Sequence, residues 1–76
     1  VRVENFINTY ISNLVAPGTQ VVENDAFFDY VDSFSFIELI TNVESEFGFA
    51  VDLMTVDFDL NATIRQVLDW FNLHDR

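Results

Sequence analysis

Apolar residues recur along the chain in three blocks with helical spacing. In the first block Val3, Phe6, Ile7, Tyr10, Ile11 and Leu14 follow the i, i+3, i+4, i+7 pattern, and Glu4, Asn5, Asn8, Thr9, Ser12 and Asn13 fill the other side. That stripe predicts an amphipathic helix, stopped by the Pro17-Gly18 turn signal. Its asparagines and β-branched residues are weak helix formers, so packing must hold it. In the second block Phe36, Ile40, Val43 and Phe47 recur at intervals of four, three and four. They predict a helix from about Ser33 to Phe47, with Gly48 where a left-handed residue ends a helix. At about 100° per residue, Phe34 falls on the opposite, wet face with Glu38, Thr41 and Ser45. The third block carries Ile64, Val67, Leu68 and Phe71, entered by Thr63 and Gln66 at capping-box spacing. Trp70 flanks this stripe and is expected to be partly exposed, and residues Asn72 to Arg76 are expected to fray.

The intervening stretches show no sustained period. Residues 16–31 read as a long loop, which in so small a chain is functional or packed by its own side chains. Val22 and one of Phe27 and Phe28 are expected to pin it to the core. Further on, Asp57–Leu60 reads as a short helical turn that packs Phe58 or Leu60 inward. No stretch alternates as a strand does. The pattern predicts an all-α fold, a small antiparallel three-to-four-helix bundle, in one domain spanning residues 1–76.

A chain of this length buries a limited share of its surface, so its aromatics matter. Nine Phe, one Trp and two Tyr are present, and each buried Phe contributes roughly 1.5–3 kcal/mol. Cysteine is absent, which excludes a disulfide, a thiolate metal site and a cysteine nucleophile, and fits a reducing compartment such as the cytoplasm. No apolar run approaches the roughly 18 residues of a membrane span, and no signal-peptide pattern is visible. The chain begins at Val1 rather than Met, as a trimmed protein or a piece of a longer product would.

Charge narrows the partners. Thirteen acidic residues face three arginines, for a formal net charge of −10. Phosphate backbones are held by cationic side chains, so the charge argues against nucleic acids and anionic membranes as partners. Basic proteins are favoured instead, drawn in by attraction that salt weakens.

Catalytic constellations are poorly supplied. The one histidine, His74, lies in the tail, so Ser33 has no evident general base. A bundle this small is not expected to offer a substrate cleft. Asp57, Asp59 and Asn61 match the first, third and fifth ligand positions of a calcium loop. Ala62 and Leu68 stand where that loop needs a glycine and a bidentate glutamate, so these acids read as caps and turn residues.

The start of the second helix is left. Asp32 or Ser33 can cap it, and Ser35 with Glu38 also has capping-box spacing. Asp-Ser at a helix start is in itself an ordinary cap. An exposed phenylalanine beside an exposed serine, however, points to a reactive or modifiable hydroxyl with a docking residue next to it. In this context, after a long loop in an acidic helical chain, Asp32-Ser33-Phe34 matches the attachment motif of the acyl carrier protein family, Asp-Ser followed by a large apolar residue. Glu38-Leu39, Glu44, Glu46-Phe47 and Thr63-Ile64 also resemble the family's pattern of acids, core positions and last-helix entry. The chain resembles this family, which includes peptidyl and D-alanyl carriers, over nearly its whole length. One departure is that Tyr30 and Val31 precede the aspartate where many carriers have a glycine or small residue.

The resemblance implies that a phosphopantetheinyl transferase moves 4′-phosphopantetheine from coenzyme A onto Ser33. Asp32 would engage the transferase or its metal, or cap the helix. The chain would be a non-catalytic, monomeric carrier holding acyl or aminoacyl groups as thioesters. Its partners would be a loading enzyme and downstream transferases or synthases. The second helix would be the recognition surface, with Phe34 as apolar anchor and Glu38, Thr41, Glu44 and Glu46 around it. The competing expectation is an unmodified acidic interaction domain that presents the same helix to a basic protein.

Overall fold

Three helices form where the apolar stripes predict them. The computed structural model describes residues 2–74, with α1 at Arg2–Leu14, α2 at Ser33–Phe47 and α3 at Ile64–His74. Single 3-10 turns at Phe27–Asp29 and Leu53–Thr55 interrupt the two connections. Among the described residues the only extended pairing is one isolated bridge between Ala26 and Thr63. The fold is a small all-helical bundle.

Each helix buries the face its periodicity marks. Val3, Ile7 and Ile11 of α1, Phe36, Leu39, Ile40 and Val43 of α2, and Ile64, Val67, Leu68 and Phe71 of α3 form one core. The backbone of α1 packs closely against both α2 and α3. Between α2 and α3 the contact is made by large rings, with Phe36 6.1 Å from Trp70 and 6.2 Å from Phe71 between centroids.

The ends follow the local chemistry. Gly48 closes α2 at φ 73°, its amide donating to the Glu44 carbonyl, the conformation for which a residue without Cβ is suited. At the start of α3, Gln66 N–H donates to Thr63 Oγ1 at 3.2 Å and Thr63 N–H donates to Gln66 Oε1 at 2.8 Å. That is the reciprocal capping box the spacing predicts.

The connections depart from expectation at several points. Val22 is 46 % exposed and does not pin the first loop. Phe27 and Val31 do so, fully buried, with Val21 and Phe28 packed against the core. The reason is in the backbone: Phe27 N–H donates to Ala62 O, while Ile64 N–H and Arg65 N–H donate to Asp25 O and Glu23 O. The loop thus satisfies amides at the start of α3 that have no partner within the helix. The second 3-10 turn lies at Leu53–Thr55 rather than at Asp57–Leu60; Phe58 packs inward and Leu60 is exposed.

Trp70, expected to be partly exposed, is buried, because the second connection folds over it. Its indole N–H donates to the Thr55 carbonyl and hydroxyl, each at 3.2 Å. The tail does not fray at Asn72. There α3 continues to His74, Asn72 Nδ2 donates to Glu4 Oε2 at 2.8 Å, and the His74 ring nitrogens lie 3.1 Å from Trp70 O and 3.2 Å from Thr55 Oγ1. Asp75 and Arg76, the rest of that expected fray, lie outside the described residues.

Candidate functional site

Ser33 occupies the first position of α2 and is exposed. Its position comes from the loop before it, where buried Phe27 and Val31 anchor a turn that delivers Asp32 in extended conformation (φ −76°, ψ 173°). The Asp32 carboxylate accepts from Ser35 N–H at 2.7 Å and caps the helix. Of the alternatives the motif leaves open, the structure uses Asp32; Ser35 serves as the donor to that cap and does not open a box with Glu38. The Ser33 hydroxyl is therefore not consumed in holding the helix start. The cap bond from Ser35 also holds the Asp32 carboxyl below the usual aspartate range, so it stays ionised beside the serine.

Residues around Ser33 divide by face. Phe34 projects to solvent with 81 % of its surface exposed, and Glu38, Thr41 and Glu46 are exposed as well. Thr41 Oγ1 donates back to Ile37 O at 3.2 Å. Glu44 differs from its expected neighbours. It is half-buried, and its Oε2 accepts from Val51 N–H at 2.8 Å, fastening the chain that leaves α2. On the side facing α1, Tyr10 directs its hydroxyl at Ser35 O and Glu38 Oε1, at 3.4 and 3.5 Å.

A cleft adjoins the serine, contrary to the expectation that so small a bundle would have none. It measures about 380 Å³ and is lined by Ser33 with Phe28, Phe36, Ile37, Val56, Phe58, Asp59 and Leu60. Ile37 stands four residues after Ser33 and so shares its helix face. The helical spacing therefore carried that signal. Val56, Phe58 and Leu60 reach the same place through an irregular segment that no periodicity marks.

The histidine does not complete a catalytic arrangement with this serine. Its two ring nitrogens are directed at Trp70 O and Thr55 Oγ1. Among the described residues no group of three or more metal-ligating side chains gathers. Asp59, one of the acids at calcium-loop spacing, accepts from Asn61 N–H at 2.8 Å as a turn residue. What the site does present is an exposed hydroxyl at a helix N-terminus, a separate residue supplying the cap, and an apolar cleft alongside.

Comparison with known families bears on the chain that presents this hydroxyl. The family described as phosphopantetheine attachment site matches residues 10–71, a span that contains Asp32-Ser33-Phe34, the whole of α2 and most of α3. The chain belongs to this family of acyl carrier proteins. Its prosthetic group is covalently attached 4′-phosphopantetheine. No match is found among curated proteins or among solved structures.

The residues of this carrier fit such a group. A phosphodiester needs an accessible hydroxyl, and the partial positive charge of a helix N-terminus favours the phosphate. Ser33 supplies the first at the place where α2 supplies the second. Because the Ser35 amide is already held by Asp32, substitution on Ser33 leaves the cap intact. Among the described residues no helix of the carrier is long and apolar enough to cross a membrane.

Proposed function

We propose that Ser33 is the residue that bears 4′-phosphopantetheine. We further propose that this single domain, monomeric and cytoplasmic, carries acyl or aminoacyl intermediates between biosynthetic enzymes of a fatty-acid-like, polyketide or nonribosomal peptide type. The observation that carries the reading is the exposed Ser33 hydroxyl at the start of α2, its helix capped by a different residue. When attached, the arm supplies the thiol on which a cargo is held as a thioester. The chain itself does no chemistry: it holds the attachment point at a helix end and presents a recognition surface around it. A tether raises the effective concentration of the cargo at each enzyme it visits.

That surface is the exposed face of α2. Phe34 serves as apolar anchor for the transferase and for loading and receiving enzymes, and Glu38 and Glu46 meet their basic residues. Asp32 keeps its negative charge beside the serine and adds to the same attraction. Thr41, exposed between these acids, completes the face. Glu44 contributes less to partners than to the fold, since Val51 holds its carboxylate.

Incubation with coenzyme A, magnesium and a permissive phosphopantetheinyl transferase tests the assignment. Intact mass is expected to rise by one phosphopantetheine increment, to stay unchanged for Ser33→Ala, and to rise as usual for Ser35→Ala. An increment that survives Ser33→Ala refutes the site. A wild-type chain left unmodified by several active transferases supports instead an unmodified acidic interaction domain.

A further inference from the structure

The cleft beside Ser33 ends on a wall of rings. Phe36, one turn after Ser33, lies 5.6 Å from Phe28 and 6.0 Å from Phe58 between centroids, both in edge-to-face geometry. Behind these rings stand Trp70 and Phe71, 5.0 Å apart and buried, each within 6.2 Å of Phe36. Phe58 and Trp70 close the side toward the second connection at 5.6 Å. These separations are those of rings in contact. The gap between α2 and α3 is therefore occupied by the protein's own aromatic side chains.

We infer that this carrier keeps its cargo outside the bundle, and that the cargo class it suits is a short or polar acyl group, aminoacyl groups included, rather than a long alkyl chain. The inference rests on the reading of Ser33 as the attachment point and adds to it the fate of what is attached. A long chain would have to displace Phe36 or Phe58 to pass beyond the open cleft into the core, and interiors packed to crystal-like density do not make room without loss of contacts. The cleft itself is open to solvent along Ile37 and Leu60, which are 49 % and 66 % exposed. A short or polar group loses nothing by staying there, and its thioester stays within reach of the next enzyme.

The test loads the protein directly, using a permissive transferase with acetyl-, octanoyl- and dodecanoyl-coenzyme A. Hydroxylamine then cleaves each thioester to the hydroxamate and the free arm thiol. Expected are cleavage rates equal within about twofold across the three chains, whereas a thioester drawn into a dry interior is shielded by about tenfold or more. Emission from Trp70, the sole tryptophan, is expected not to change with chain length. Shielding that grows with chain length, or a matching shift in Trp70 emission, overturns the inference.

Phe58→Ala removes a half-buried ring from the wall. It is expected to slow cleavage of the dodecanoyl thioester alone; unchanged cleavage in that variant contradicts the role given to the rings. Intact mass is read first, so a chain that takes no arm counts against the attachment reading and not against the wall. Free S-dodecanoyl-pantetheine titrated onto the unmodified protein then puts the same question to Trp70. No saturable shift is expected, and one would overturn the exclusion.

Discussion

At the start of α2 two neighbouring side chains take separate tasks, Asp32 holding the first turn and Ser33 facing solvent. The dipeptide alone did not say which residue did which, because aspartate and serine are both good caps. The distinction came from the extended backbone at Asp32 and from the Ser35 amide pointing at its carboxylate. A second residue of consequence is Glu4, at the opposite end of the chain's contacts. Its carboxylate pairs with Arg65 at 3.0 Å and accepts from Asn72. The Arg65 hydrogen bond, then that of Asn72, holds its carboxyl below the ordinary value of 4.5. A carboxyl depressed by folding gives stability that is full above the unfolded value and is lost as pH falls through the folded one. Glu4→Gln is expected to cost about 1 kcal/mol at about pH 7 and progressively less at an acidic pH, as the wild-type carboxyl becomes protonated too. Urea denaturation of both proteins at neutral and at acidic pH measures this, and an equal cost at both would mean that the charge is irrelevant.

Helices were legible as elements because each carries an apolar stripe, with capping residues ahead of α2 and α3 and terminators after α1 and α2. Connections were not, because their ties run through backbone groups that every residue possesses. Nothing in the side chains of Asp25, Ala62 or Ile64 announces that their backbones pair. Trp70 illustrates the same limit from the helix side. Its place on the wheel describes α3 alone, whereas its burial depends on the Thr55 segment crossing over it. The cleft was missed for this reason, since half its lining comes from residues 56–60. The terminator of α2 yields a prediction of its own. A Cβ added to Gly48 would meet nothing within 4 Å, so only the left-handed backbone opposes substitution. Gly48→Ala is expected to destabilise the fold by about 1 kcal/mol, read as a lower denaturation midpoint with unchanged slope. A change within error would mean that the backbone there relaxes freely.

Across the whole molecule, aromatic residues serve two opposite purposes. Phe36 is buried in contact with five rings, whereas Phe34, two residues away, is almost fully exposed. Phe36→Ala is expected to cost about 3–5 kcal/mol, a large share of what a small domain possesses. Phe34→Ala is expected to change stability by less than about 0.5 kcal/mol and to slow partner reactions instead. Loss of cooperative unfolding in Phe34→Ala would place that ring in the core and contradict the recognition surface. Charge is also distributed with a bias. Arg65 pairs with Glu4, Glu23 and Asp69, and Arg2 lies 5.3 Å over the Phe47 ring, so the acids on the open face of α2 face outward uncompensated by either. Rates of modification and loading are therefore expected to fall as salt rises, with Glu38→Gln flattening that dependence. Stopped-flow or initial-rate measurements across ionic strength check this, and a salt-independent rate would remove electrostatic steering from the account.

The most direct measurement locates the added mass. Protein primed with coenzyme A and a transferase is fragmented along its backbone in the mass spectrometer. The phosphopantetheine increment is expected to appear between the cleavage before Ser33 and the cleavage after it. An increment on any other residue, or none under conditions that modify a control carrier, contradicts the assignment on which the function rests.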